Sequence, residues 1–105
     1  MVELCDVHTI PEGDSRGFEL PGHRLFVVKK DNECHVYQNR CPHQGIQLHW
    51  MEHQFLDRSK QYIQCSTHGA MFEPTTGLCI EGPCLGSHLK SIDCEQRDGK
   101  LYVYL

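Results

Sequence analysis

The sequence predicts an all-β domain, a small antiparallel sandwich or barrel of short strands. Three observations carry that expectation. Turn-forming residues recur every few positions, two turn dipeptides are each flanked by β-type segments, and no stretch sustains the i, i+3, i+4 apolar spacing of an amphipathic helix. The turns fall at "PEGDSRG" (11–17), "LPGH" (20–23), "KDNE" (30–33), "EPTTG" (73–77), "EGPCLG" (81–86) and "RDGK" (97–100), each rich in Gly, Pro, Asp or Asn.

The elements follow in order. "RLFVVKK" and "CHVYQNR" flank Asp31-Asn32, so residues 24–40 predict a hairpin, with Leu25-Phe26-Val27-Val28 as a buried strand. The segment "IQLHWMEHQFLD" (46–57) comes nearest to a helical pattern through Leu48, Met51 and Phe55. It lacks a capping signal and reads as a structured loop. "YIQC" (62–65) and "GLCI" (77–80) are further strand candidates. "SIDCEQ" and "LYVYL" flank Asp98-Gly99, a favoured type I′ pair, so residues 90–105 predict a second hairpin. Leu101, Val103 and Leu105 alternate there with Tyr102 and Tyr104, the period of two of a half-buried strand.

A length of 105 residues is that of one domain, expected over 1–105, with a modest core. The net charge of −4 and the scattered basic residues, of which Lys29-Lys30 is the one pair, argue against nucleic acid as a partner. No apolar run approaches the ~20 residues that span a bilayer, and "MVELCDVHTIPEGD" lacks the pattern of a signal peptide. The expected address is cytoplasmic. In that reducing compartment seven cysteines point to metal ligation more than to disulfides.

Two short segments repeat one theme. "CPHQG" (41–45) and "CSTHG" (65–69) each give a cysteine, a histidine within one turn, and a glycine that lets the backbone reverse closely. The spacings are Cys41-x-His43 and Cys65-x-x-His68. Ordinary buried cysteines and surface histidines would explain any single residue, but poorly explain two clustered mixed pairs. Structural zinc accepts this donor set, yet its usual spacings pair Cys with Cys and His with His. A [2Fe–2S] centre with two histidines in place of two cysteines matches the mixed pairs.

With both corners in view, "CPHQG" and "CSTHGAMF" together resemble the Rieske motif, C-x-H followed at a distance by C-x-x-H. The resemblance implies a Rieske-like fold with a two-loop cluster-binding subdomain, here about 40–85. It further implies that Cys41 and Cys65 hold the inner iron while His43 and His68 hold the outer one, nearer solvent. Two ferric ions, two sulfides and two thiolates sum to a neutral centre, which takes an electron more readily than one with four thiolates.

Departures from the motif narrow the class. High-potential Rieske proteins carry a bridging cysteine in each loop, where Ile46 and Thr67 stand here, and a serine and tyrosine where Ala70 and Phe72 stand. Fewer hydrogen bonds toward the sulfurs predict a potential near the low end of the Rieske range, about −150 mV. The chain is thus similar to the soluble Rieske-type ferredoxins of bacterial aromatic-ring dioxygenases. That resemblance implies an electron carrier, not itself an enzyme, with transient partners: a flavin-dependent reductase and a terminal oxygenase. The alternatives are a fixed subunit like the small subunit of nitrite reductases, or a zinc-stabilised module.

By the same resemblance, "GPC" (82–84) matches a proline-bearing loop that covers the cluster, giving Pro83 a shielding role. The remaining cysteines, 5, 34, 79, 84 and 94, read as buried small hydrophobes or loop thiols. Trp50 reads as loop packing and His49 and His53 as solvated surface, unless that loop shapes a docking face. His8, His23, His35 and His88 are expected at the surface, and the acidic surplus as a solvated face.

Overall fold

A computed structural model describes residues 1–40, 42, 53–65 and 69–105. Its strands are β1 (Val2–Asp6), β2 (Ser15–Leu20), β3 (His23–Lys30), β4 (Glu33–Gln38), β5 (Ile63–Gln64), β6 (Met71–Phe72), β7 (Cys79–Glu81), β8 (Ser91–Ile92), β9 (Cys94–Arg97) and β10 (Lys100–Val103), with one 3₁₀ turn at Val7–Thr9. Among the described residues all pairings are antiparallel and build three sheets, ordered β1-β10-β9, β2-β3-β4-β8 and β5-β6-β7. The all-β antiparallel expectation is borne out.

Strand β3 explains how the three sheets share one molecule. Leu25 and Val27 point into a core with Val7, Ile10, Val36, Leu101 and Val103. Phe26 and Val28 point the other way, into a core with Phe55, Ile63, Phe72 and Leu89. Every residue from Leu25 to Val28 is at most 1% exposed. An apolar run without alternation is what a strand covered on both faces requires. Each such side chain contributes about 1.5–3 kcal/mol through its burial.

Both predicted hairpins form around their turn pairs. Asp31 and Asn32 take φ of 54° and 62°, and Asp98 and Gly99 take 51° and 76°. Positive φ at both central residues is the type I′ requirement, and Asn, Asp and Gly bear it most easily. The first turn is also held by Glu12, whose carboxylate accepts from the Asp31 and Asn32 amides at 2.8 and 2.7 Å.

Several elements differ from the sequence expectation. Ser15, Arg16 and Gly17, read as turn, belong to β2, and the N-terminal β1 carried no clear strand signal. "SIDCEQ" divides at Asp93: β8 pairs with β4, while β9 pairs with β10 in another sheet. β10 ends at Val103, leaving Leu105 48% exposed instead of buried. His8, His23 and His88 are exposed as expected, but His35 is half-buried with Nε2 enclosed and without a hydrogen-bond partner. It stands on β4 opposite Val28, where the strand is covered by the larger core.

Candidate metal centre

The third sheet carries the second Cys-His corner. Residues 55–57 run antiparallel to 62–64: the Gln64 amide donates to the Phe55 carbonyl at 3.0 Å and the Asp57 amide to the Tyr62 carbonyl at 2.9 Å. The Asp57 carboxylate closes the intervening turn, accepting from the Ser59 hydroxyl and the amides of Gln61 and Tyr62. Strand β5 then delivers the chain directly into Cys65, as the sequence predicted for that corner.

Cys65 is fully buried. Its amide donates to the Ala70 carbonyl at 2.8 Å, and its own carbonyl accepts from the Gly69 amide at 2.9 Å. The corner is thereby closed at its base, and Gly69 makes the reversal with φ of 68°. Cys41, His43 and His68 lie outside the described residues, as do Gly45, Ile46, Thr67, His49 and Trp50. Cys65 is the one member of the predicted ligand set whose place is described.

A second layer covers this corner. The loop after β7 is tied to itself by the Gly86 amide on the Cys79 carbonyl (3.1 Å) and the Ser87 amide on the Cys84 carbonyl (2.9 Å). It lays Gly82 against Ala70: a Cβ at Gly82 would meet the Ala70 Cα at 2.8 Å and Cβ at 3.1 Å. Gly82 also has φ of 106°, so both sterics and backbone ask for glycine. Pro83, next in line, is exposed at the loop tip.

Residues 53–55, the described end of the segment between the two predicted corners, are held by residues of β2 that the sequence read as turn. The Ser15 hydroxyl donates to the His53 carbonyl at 2.8 Å and accepts from the Phe55 amide at 3.2 Å. His53 is not a solvated surface residue as expected: it is half-buried, and its Nδ1 accepts from the Gly17 amide at 3.0 Å. Bare Gly17 lets Phe55 pass, since a Cβ there would meet the ring at 3.1 Å. Phe55 stacks on Phe26 with centroids 4.3 Å apart and planes 6° from parallel. The only sequence hint was a Ser and a Gly inside a segment already assigned to a turn.

Other cysteines behave as packing residues. Burial pushes the thiols of Cys5, Cys34 and Cys94 up, and all three line the core beneath Val27 and Val36. Neutral thiols are the form that such a place favours. Among the described residues no group of three or more His, Cys, Asp or Glu side chains gathers elsewhere to hold a metal.

Fold and corner together define a class: an all-β domain in which a short three-stranded sheet carries a glycine-turned cysteine loop under a covering loop. The family described as Rieske [2Fe-2S] domain matches residues 1–103, and the chain belongs to that family. Human apoptosis-inducing factor 3 is 32% identical over 101 residues, which are 95% of this chain but 16% of the human protein. The ferredoxin component of the alkene monooxygenase system of Xanthobacter autotrophicus is 26% identical over 83 residues, covering 76% of this chain and 68% of that one. Among solved structures, the reduced complex between oxygenase and ferredoxin in carbazole 1,9a-dioxygenase superposes with a TM-score of 0.83 at 23% identity, over 98% of this chain and 27% of that one. A chain of the complex of reduced oxygenase and oxidized ferredoxin gives 0.78 at 21% identity, over 98% and 100%. At these identities the structures attest the fold.

Family membership implies a Rieske-type [2Fe–2S] cluster. The described residues fit that group: Cys65 is a buried sulfur donor at the start of a closed turn, and the glycine contact at Ala70 leaves no room for a side chain between the two loops. Ala70 and Phe72, both fully buried, bring no hydroxyl to this wall.

Proposed function

We propose that this domain, taken as one unit over residues 1–105 with its cluster region at about 40–85, is a one-electron carrier. Cys41 and Cys65 would hold one iron and His43 and His68 the other. When bound, the cluster supplies reversible one-electron chemistry near the potential of other Rieske centres. The chain's own contribution is to bury the Cys65 sulfur, fix its turn and roof it with Gly82. The observation that carries the reading is that closed, buried Cys65 corner in a chain matched by the Rieske family over 1–103.

The partners proposed are a flavin-dependent reductase as donor and a terminal oxygenase or similar redox protein as acceptor, met transiently, with no nucleic acid and in the cytoplasm. Support comes from relatives named as ferredoxin components of alkene monooxygenase and naphthalene 1,2-dioxygenase systems. No helix among the described residues is long and apolar enough to cross a membrane. On the covering loop Leu85 is 69% exposed, and Ile80 just before it is 41% exposed. Two isolated apolar contacts suit a face that binds briefly. The domain carries electrons and is not an enzyme by itself in this reading.

A second reading has one observation in its favour. The chain spans 16% of the human relative, so the same domain also occurs within a much longer protein, where it would be a fixed electron-transfer module. The deciding experiment is purification followed by iron and sulfide analysis and optical and EPR spectra before and after dithionite. Equal iron and acid-labile sulfide, two of each per chain, with an EPR signal in the reduced state alone, supports the carrier. A colourless protein holding one zinc per chain after iron-replete expression would sink it.

A further inference from the structure

Strand β7 and the covering loop after it hold a pair of sulfurs outside the proposed ligand set. Cys79 opens β7 fully enclosed, at 1% exposure, and Cys84 stands five residues on at 7%. The Cys84 thiol donates to the Cys79 sulfur across 3.1 Å, and the Cys79 thiol donates to the Glu81 carbonyl at 3.3 Å. Both are thiols, not a disulfide. No other two sulfurs among the described cysteines are joined by a hydrogen bond; the Cys94 thiol donates instead to the Cys34 carbonyl, at 3.7 Å. A disulfide bond is about 2 Å long, so closure asks the two sulfurs to move together by roughly 1 Å within a loop already folded back on itself.

We propose that Cys79 and Cys84 are a redox-active dithiol that closes to a disulfide on the roof of the candidate metal centre. The oxidant class is a small disulfide such as oxidised glutathione. Cys84, the less enclosed residue of the two, attacks as the thiolate; its new S–S bond forms as the glutathione disulfide breaks, and one glutathione leaves as thiolate. Cys79 then gives up its proton and attacks the Cys84 sulfur, forming the internal bond and expelling the second glutathione. Two thiols lose two electrons and two protons, and one glutathione disulfide becomes two thiols.

Closure has a consequence in the next residues. The Glu81 carbonyl loses its thiol donor, and the peptide that follows it leads to Gly82, whose Cα lies on the backbone of Ala70. Ala70 in turn accepts the Cys65 amide at 2.8 Å. A tightly packed three-part contact transmits a small shift of the roof to the Cys65 corner, because it has no slack to absorb it. The dithiol chemistry rests on the two sulfurs alone; its effect on the cluster rests on the proposed carrier function.

The test equilibrates the full chain, as purified, in glutathione buffers from fully reduced to fully oxidised, quenches with acid, alkylates under denaturing conditions and maps peptides by mass. The expected result is the reversible loss of two alkylatable thiols per chain, with a cross-linked peptide joining Cys79 to Cys84. In C79S, Cys84 should instead carry one glutathione. Both thiols fully alkylated in the oxidised buffer, or a wild-type chain that stops at the glutathione adduct, would overturn the proposal. The wild-type peptide map decides even where C79S does not fold. Midpoint potentials of the dithiol and disulfide forms are then compared: a shift supports coupling to the centre, and identical values overturn the coupling. Protein without iron would still give the cross-link, so failure of the carrier reading and failure of the dithiol remain separate results.

Discussion

Gly82 lies so close to Ala70 that a single added carbon would come within 2.8 Å of the Ala70 Cα. This contact joins the loop after β7 to the corner that begins at Cys65. Gly82→Ala should cost about 2–4 kcal/mol, combining the penalty for an L-residue at positive φ with forced separation of two backbones. Gly86→Ala is the control. It has φ of 89° but open space around it, so it meets only the conformational penalty. Thermal melts and iron content of the two variants should differ, with G82A losing iron and G86A keeping it; equal losses would remove the Ala70 contact from the explanation.

His53 and Ser15 tie residues 53–55 to β2. His53→Ala leaves the Gly17 amide without its acceptor, at a cost of about 1–3 kcal/mol. Ser15→Ala removes a donor to His53 and an acceptor for Phe55. Because the two residues share one anchor, the double variant should lose less than the sum of the singles, with coupling of about 0.5 kcal/mol or more in urea unfolding. Strict additivity would show that the two contacts act independently.

Phe55 tests the link between the segment and the core. Its ring is 1% exposed and stacked on Phe26. Phe55→Ala should cost about 3–5 kcal/mol, the usual loss for a buried aromatic ring. Phe55→Leu should recover much of this and lose the stacking alone, about 0.5–1.5 kcal/mol. Denaturant midpoints give both values.

Redox tuning is accessible at Ala70. Ala70→Ser adds a hydroxyl on the wall that now has none, the smallest such change at a fully buried position packed against Gly82. A donor toward reduced, more anionic sulfurs should raise the midpoint potential by several tens of mV, since 1.4 kcal/mol is about 59 mV for one electron. Protein-film voltammetry reads it directly, and an unchanged potential would mean that the hydroxyl points elsewhere.

Acid stability has one traceable contributor. Burial works to raise the Glu73 carboxyl, but the hydroxyl and amide of Thr75 outweigh it and hold the group below its ordinary 4.5. A depressed carboxyl stabilises the fold fully above its unfolded-state value, and that contribution is lost as pH falls through the lower folded value. The stability gap between wild type and Glu73→Gln should therefore be present at pH 7, at no more than about 1 kcal/mol for a group still reached by solvent, and shrink as pH falls below the ordinary carboxylate value. By contrast, Tyr37 lies inside the larger core and donates to the Pro74 carbonyl at 2.7 Å, and burial, then Glu73, pushes its hydroxyl up to about 12. It stays neutral across that range.

Local chemistry was legible in the chain wherever a residue's own geometry decides the outcome. Asp31-Asn32 and Asp98-Gly99 accept positive φ, so both hairpins could be read directly, and the four apolar residues from Leu25 announced a buried strand, which the structure covers on both faces. The paired corners gave the ligand set Cys41, His43, Cys65 and His68 as an expectation, and Gly69 turns at Cys65 as its residue type implied. What only the tertiary structure decided are relations between segments far apart in sequence. Ser15 and Gly17 looked like turn residues because small polar side chains have no strand preference of their own; they are strand because His53 and Phe55 need a hydroxyl and a bare Cα beside them. "SIDCEQ" split between two sheets because its partners, β4 and β10, lie in different layers. Cys79 and Cys84 looked like ordinary buried thiols, and became a pair only when the loop folded one sulfur onto the other. Propensity and spacing act through the residue and its neighbours, whereas a contact's chemistry depends on which two surfaces the whole chain brings together.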